Sequence, residues 1–332
     1  MRTIDHMNVL FVAAAGPRQG FGHLVRCGVL ASGLGARPRV ALRGSASARR
    51  QARALGWQVH MAMPTLLRTM APDLLVVDEP SVAVATRWVR AARERGIAVA
   101  AISDLRLNAV DADLTIDGSI TTMAGSTAAD LQGPEFAILD ATIARLRHMP
   151  RARDRRRVLI ALGGGTHVRR LGRSLAHRIQ EHLPDIYVDL APGFSTAPLP
   201  TLPSGCQWIS PYGLRQALAT TGVAIVAGGT TVYEAAALGA PIVTLAVADA
   251  QRTTTRAFSD RGGALDASEA NPLDAIDRAA MEVAHLIVNP DMATLLSQQA
   301  ARLVDGNGTA RVIDRLRALV ALGRGSEASH AA

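Results

Sequence analysis

At 332 residues the chain is long enough for two domains of about 150 residues each. Its 48% apolar and 19% charged residues give each half a core filled by Ala, Val and Leu rather than by rings. All 36 basic residues are Arg and none is Lys, which excludes chemistry that needs an amine at a fixed place: a pyridoxal Schiff base, a Walker phosphate loop or a Ser–Lys dyad. The net charge of +8 raises nucleic acid as a partner, but the Arg are spread along the chain without stacking aromatics beside them, so no nucleic-acid partner is expected.

In chain order, the run from Val9 to Ala15 is short and apolar, with Asp5 before it and a glycine turn after it, and reads as a first β-strand rather than a signal-peptide core. Further strands are predicted at Arg39 to Leu42, Leu74 to Val77 and Ile97 to Ile102, with a helix over Val82 to Arg95. The runs at 74–77 and 98–102 are apolar on both faces, as expected of central parallel strands covered by helices on either side. From Arg147 to Arg157 the pattern gives way to a charged, proline-containing stretch, read as a solvated linker. The alternation then restarts: strand Val158 to Leu162, helix Arg169 to His182, strands Ile186 to Leu190 and Val223 to Val226, helix Thr231 to Leu238, and strand Ile242 to Leu245.

The fold class is therefore α/β, two doubly wound Rossmann-like domains facing across a cleft. The expected domains are 1–147 and 158–323, joined by a linker at 148–157 and followed by a disordered tail at 324–332. The last helical pattern, Ala310 to Leu322, suits either domain. No apolar run is long enough to span a bilayer. Cys27 and Cys206 lie far apart outside any Cys-x-x-Cys spacing, so neither a disulfide framework nor a zinc site is expected, and a cytoplasmic location fits.

Three glycine-rich turns follow predicted strands, where open α/β sheets bind ligands. The first runs Gly20-Phe21-Gly22-His23 to Cys27. Gly22 allows close approach to a ligand, and His23 at the start of a helix is placed for acid–base work or phosphate contact, or for capping alone. Cys27 shares a helical face with His23 but reads as a small core residue. The second turn, Gly163-Gly164-Gly165-Thr166, suggests an anion-cradling nest. The third is Gly228-Gly229-Thr230-Thr231-Val232-Tyr233-Glu234. Thr231 and Glu234 have capping-box spacing, yet two glycines before the cap suit a diphosphate seat, with Glu234 accepting from ribose hydroxyls. Asp78, Glu79 and Asp104 each follow a strand and border the same edge, with no metal-binding spacing.

These segments, with Gly133 to Asp140, the run VLIALGGGTH and the run from Gly228 to Gln251, resemble the UDP-sugar hydrolases of pseudaminic-acid synthesis and the related spore-coat polysaccharide proteins. The third motif is shared with many glycosyltransferases of the B plan. The resemblance implies that fold and metal-free attack of water on the anomeric carbon of a UDP-sugar. It implies a catalytic His23, with Thr230, Thr231 and Glu234 on diphosphate and ribose and Gln251 facing the sugar. Where that family carries Asp-x-Tyr this chain has Asp78-Glu79-Pro80, so it departs at Glu79 and Pro80, and again at Asp140 and Ala250, all sugar-side positions in the family. The expectation is a nucleotide-sugar enzyme of surface-glycan or nonulosonic-acid-type synthesis, with His23 and Asp104 catalytic. Hydrolysis, transfer to an acceptor, and non-catalytic nucleotide-sugar binding stay open. The expected partner is the nucleotide-sugar, with no cofactor, no metal, and peripheral membrane contact if the acceptor is a lipid.

Overall fold

The computed structural model describes residues 7–16, 20–122, 127–165, 168–194, 198–210 and 213–330. The chain divides into two compact units, Met1–Ile138 with Asn307–Ala332, and Leu139–Gly306.

The first unit is built on seven parallel strands: β1 (Val9–Ala15), β2 (Arg39–Gly44), β3 (Gln58–Met61), β4 (Leu74–Asp78), β5 (Ala98–Ile102), β6 (Leu114–Asp117) and β7 (Leu131–Gln132). They lie in the order β3-β2-β1-β4-β5-β6-β7, so the winding reverses between β1 and β4. There Ala13 stands opposite Asp78. β1 and β4 are buried along their whole length, as central strands covered on both faces must be. Helices α1 (Gly22–Gly33), α2 (Ala46–Ala54), α3 (Leu66–Met70) and α4 (Val82–Arg93) make the crossovers. Leu10, Val12, Leu75 and Val77 pack under Ala85, Trp88 and Ala92 of α4.

The second unit opens with α5 (Ala141–His148) and carries six parallel strands: β8 (Asp154–Ala161), β9 (Tyr187–Leu190), β10 (Cys206–Trp208), β11 (Thr221–Val226), β12 (Ile242–Thr244) and β13 (Leu265–Asp266). Their order β10-β9-β8-β11-β12-β13 repeats the first unit's reversal, here between β8 and β11. Helices α6 (Val168–His182), α7 (Leu214–Thr220), α8 (Thr230–Ala237), α9 (Arg252–Asp260), α10 (Pro272–Val288) and α11 (Pro290–Leu303) complete it. Val158, Ile160, Val223, Ile225 and Val243 of the sheet pack with Leu175 and Ile179 of α6 and Ala279 and Val283 of α10.

Three boundaries differ from the sequence expectation. The stretch 148–157 is no free linker: β8 already begins at Asp154. It reaches that far because Gly222 lets β11 approach, a Cβ there lying 2.7 Å from the Asp154 carbonyl oxygen. The last helix, α12 (Gly308–His330), belongs to the first unit, where Arg317 donates to the Gly33 carbonyl at 3.3 Å. Its backbone remains helical past Arg324 to His330, since extending a formed helix costs less than nucleating one. Among the described residues no helix is long and apolar enough to cross a membrane.

Candidate functional site

Each unit places a glycine turn at its own reversal point, the position where open α/β sheets leave a crevice beyond their strand ends.

In the first unit, Gly16 and Gly20 pair through reciprocal backbone hydrogen bonds of 3.0 and 2.7 Å. Gly20 takes φ +72°, and α1 starts at Gly22. A Cβ at Gly22 would meet nothing within 4 Å, so the chain is open on that side. His23, the second residue of α1, hydrogen-bonds through Nδ1 to Oδ1 of Asp78 at 2.8 Å. Asp78 ends β4 and is fully buried. One turn along α1, Arg26 grips both Asp78 oxygens at 2.8 and 2.6 Å and both Asp104 oxygens at 2.6 and 3.0 Å. A fork of this kind is stronger and more directional than a single ammonium contact.

The electrostatics follow from the grouping. Burial pushes the His23 pKa down, but the charge of Asp78 and its hydrogen bond outweigh burial, and the net shift is upward from 6.5. Burial alone would raise Asp78; Arg26 and His23 overcome it and hold the carboxyl well below the usual carboxylate range. Asp78 thus stays ionised, fixes the imidazole through Nδ1 and leaves Nε2 as the nitrogen available to a substrate. Cys27 is fully buried 4.0 Å from Asp78, and burial with that carboxylate's charge raises its thiol far above the thiolate range. It packs as a core residue, as its sequence position suggests.

Asp104 comes to the cluster through a strained loop. Leu105 and Arg106 take φ +53° and +58°, unusual for residues with a Cβ. Side chains hold them there: Ser119 Oγ accepts from Leu105 N–H at 2.8 Å, Asp117 from Arg106 N–H at 2.8 Å, and Asn108 from Asp104 N–H at 3.0 Å. Asp104 therefore meets Arg26 rather than His23. Glu79 faces elsewhere, accepting from Arg43 at 3.0 and 2.5 Å and from Ser81 N–H at 2.9 Å. No group of His, Cys, Asp and Glu suited to a metal ion occurs among the described residues.

In the second unit, Gly228 and Gly229 carry the chain from β11 into α8 and do different things. A Cβ on Gly228 would lie 2.7 Å from the Gln251 carbonyl oxygen, so this glycine is required by packing. A Cβ on Gly229 would meet nothing, and its exposed backbone leads into the first turn of α8, where Val232 N–H donates back to the Gly229 carbonyl at 3.3 Å. Thr230 and Thr231 are the first two helical residues, half-buried, and no side chain caps the helix.

The capping-box reading of Thr231 and Glu234 does not hold. The residue before the helix is Gly229, so the third helical position is Val232, and Glu234 lies too far along to reach back. Instead Glu234 is buried, with Oε1 3.5 Å from Nε of Arg215, the second residue of α7. Arg215 also lies 3.3 Å from Asp140, which caps α5 by accepting from Thr142 N–H at 2.8 Å. Burial and the Asp140 charge raise the Glu234 pKa, and Arg215 offsets part of that rise.

The other expected positions fall as follows. Gly163 takes φ +101° after β8, and Gly164 packs against the Phe194 ring, a Cβ there lying 2.5 Å from it. Gly165 follows, and Thr166 lies outside the described residues. Gln251 uses its side-chain oxygen to accept from Val247 N–H at 2.9 Å, closing the loop ahead of α9.

No family model matches the chain, and no curated protein matches it. Solved structures do. MurG of Acinetobacter baumannii has a TM-score of 0.63 at 15% identity, over 93% of this chain and 99% of that one. The spinosyn rhamnosyltransferase SpnG gives 0.64 at 16%, over 93% and 100%. A putative UDP-N-acetylglucosamine 2-epimerase from Listeria monocytogenes gives 0.56 at 12%, over 92% and 95%. The chain shares their fold. It is the B plan of glycosyltransferases, as the sequence resemblance implies, and at these identities the likeness concerns architecture alone.

Asp78, Arg26 and Arg215 emerge as partners that sequence reasoning assigned no role. Arg26 lies inside the first motif, and Asp78 was visible as a strand-ending carboxylate. Arg215 had no signal at all, because only the packing of α7 beside α8 brings it to Glu234.

Proposed function

We propose that the protein is a nucleotide-sugar enzyme that breaks the bond between the anomeric carbon of a sugar and a nucleoside diphosphate. The observation that carries this reading is His23, held through Nδ1 by a buried, ionised Asp78 at the reversal point after β1. That arrangement suits a general base oriented by a carboxylate. His23 Nε2 takes a proton from water or from an acceptor hydroxyl; the freed oxygen bonds to the anomeric carbon; the carbon–oxygen bond to phosphate breaks and its electron pair leaves with the diphosphate. Gly229, Thr230 and Thr231 at the start of α8 offer amides and hydroxyls for that leaving group. Glu234 accepts from ribose hydroxyls, with Arg215 setting its position.

Water as acceptor makes the protein a hydrolase of UDP-sugars, the activity the sequence resemblance implies. A hydroxyl acceptor makes it a glycosyltransferase, a reading supported by the architecture shared with MurG and SpnG. Incubating purified protein with a panel of UDP- and TDP-sugars and measuring nucleoside diphosphate release tests the proposal. Release without an acceptor favours hydrolysis, and release only with one favours transfer. Binding of a nucleoside diphosphate without turnover on any sugar, with or without acceptors, would refute the catalytic reading.

A further inference from the structure

The arginine-rich stretch read from sequence as a solvated linker is not solvated. Arg147, Arg151 and Arg153 fold back on the second unit at the N-terminal edge of its sheet, the edge away from the glycine turns. Arg147 donates to the carbonyls of Ala237, Ala301 and Val304 at 2.7, 2.7 and 3.0 Å. Arg151 and Arg153 each donate to Leu238 O at 2.6 Å, which sets the two cations side by side. Arg153 also reaches the carbonyls of Leu218 and Thr221, and Arg151 that of Leu146.

These carbonyls are the C-terminal ends of α5, α7, α8 and α11, so capping is one role of the three side chains. Capping leaves a surplus of charge. Four helix ends supply roughly half a negative charge each, about two against three guanidinium charges. Among the described residues no carboxylate pairs with any of the three; the acid nearest in sequence, Asp154, is turned to Arg157 at 3.5 Å. Burial and the neighbouring Arg151 charge lower Arg153 to about 10. The three line an open pocket of about 400 Å³ with Met149, Ser297 and Gln298. A second pocket of about 240 Å³ adjoins it through Arg153 and Ser297 and adds Arg155.

We infer that Arg147, Arg151 and Arg153 form an anion site for a phosphate-bearing ligand, separate from the turns assigned to the nucleotide. These carbonyl bonds run from the terminal nitrogens Nη1 and Nη2, each guanidinium carries five N–H donors, and its planar fork matches the oxygens of a phosphate. The volume exceeds what a single inorganic phosphate needs and suits a diphosphate or the headgroup of an anionic lipid.

The test is residue-level footprinting of the full chain. Arginines are modified with phenylglyoxal and counted by mass spectrometry, alone, with inorganic pyrophosphate, and with phosphatidylglycerol or phosphatidylcholine vesicles. Modification of Arg147, Arg151 and Arg153 should slow by at least about fivefold with a saturating ligand, as occupancy protects them, while exposed Arg90 is unchanged. Protection by pyrophosphate identifies a soluble phosphate; protection by phosphatidylglycerol vesicles alone identifies a lipid headgroup. Both sustain the inference. Unchanged rates in every arm, or protection by phosphatidylcholine equal to that by phosphatidylglycerol, overturn it. The variant R151K, which keeps the charge and loses the fork, should weaken protection of Arg147 and Arg153; undiminished protection in a folded R151K protein would also count against the site.

Discussion

The two units repeat one topology and place opposite kinds of residue at the same point of it. Both reverse their winding at the same place in the strand order, and both put a glycine turn there. In the first unit the turn leads into a charged cluster in which His23, Arg26, Asp78 and Asp104 fix one another. In the second it leads into a helix start with no charged residue in its first turn, where the half-buried Thr230 and Thr231 follow the exposed Gly229. The fold thus sets the location, while the residues after each strand set what stands there; on the proposed function the first turn moves a proton and the second holds an anion.

The sharpest way to break this contrast is to remove the proton carrier. His23→Ala should cut turnover by about a hundredfold or more, the usual contribution of a positioned acid or base, while calorimetric affinity for UDP stays within about twofold, since the second unit's turn is untouched. Equal losses of affinity and turnover would mean that His23 is a ligand contact.

Asp78→Asn tests the orienting carboxylate and should cost roughly tenfold to a hundredfold in turnover of the folded protein. The pH profile is more telling. A base must be unprotonated, and His23 is raised above 6.5, so wild-type kcat/KM should fall as pH drops through a value above 6.5. The Asn variant loses the charge of Asp78, the larger of the influences that raise His23, and keeps burial and Arg26, which lower it, against the smaller upward pull of Asp104, so its acid limb should move to lower pH. An unmoved limb would separate His23 from Asp78.

On the other side of the comparison, Gly229→Val places a side chain where a Cβ now meets nothing. Stability should change little, while UDP affinity falls by about tenfold or more from obstruction of the seat. Gly228→Val at the adjacent position should instead destabilise the fold, because the packed Gln251 backbone lies 2.7 Å from its Cβ site. Thermal melts alongside UDP titrations of the two variants separate a packing glycine from a binding glycine. If both lost stability equally, the assignment of Gly229 would fail.

Much of this arrangement was legible in the sequence. Central strands β1, β4 and β11, and the Val158 to Ala161 half of β8, are apolar on both faces, and each lies within a few residues of its expected place; the charged first half of β8 carries no such mark. Edge strands β3, β7, β10 and β13, and β6 beside β7, are not among the expected strands because they are short and mix polar with apolar residues, so neither period nor length marks them. Strand-end positions were also readable, since glycine turns announce themselves. Partnership was not. His23 with Asp78 spans 55 residues and Glu234 with Arg215 spans 19, and spacing within one helix, the basis of the capping-box reading, says nothing about a residue delivered by a neighbouring helix. The Arg147 to Arg157 segment misled for the same reason: its carbonyl acceptors lie at the ends of helices far along the chain.

Glu234 offers the smallest effect and the cleanest sign. Its folded-state pKa lies above the ordinary 4.5 because burial and Asp140 disfavour the charged form more than Arg215 favours it. The folded protein therefore binds this proton more tightly than the unfolded chain does. The stability from that difference is fully present below about 4.5 and is lost as pH rises through the folded value. At neutral pH this group therefore favours the fold less than it does at pH 4. Glu234→Gln keeps the shape and removes the charge, so without ligand the variant should gain in melting temperature on wild type as pH rises from 4 to 7. Its UDP affinity should fall by a few-fold, with 2′-deoxy-UDP losing less because it lacks one of the hydroxyls Glu234 would accept from. A variant that melts lower than wild type at pH 7 and binds both nucleotides as wild type does would make Glu234 a structural partner of Arg215 and nothing more.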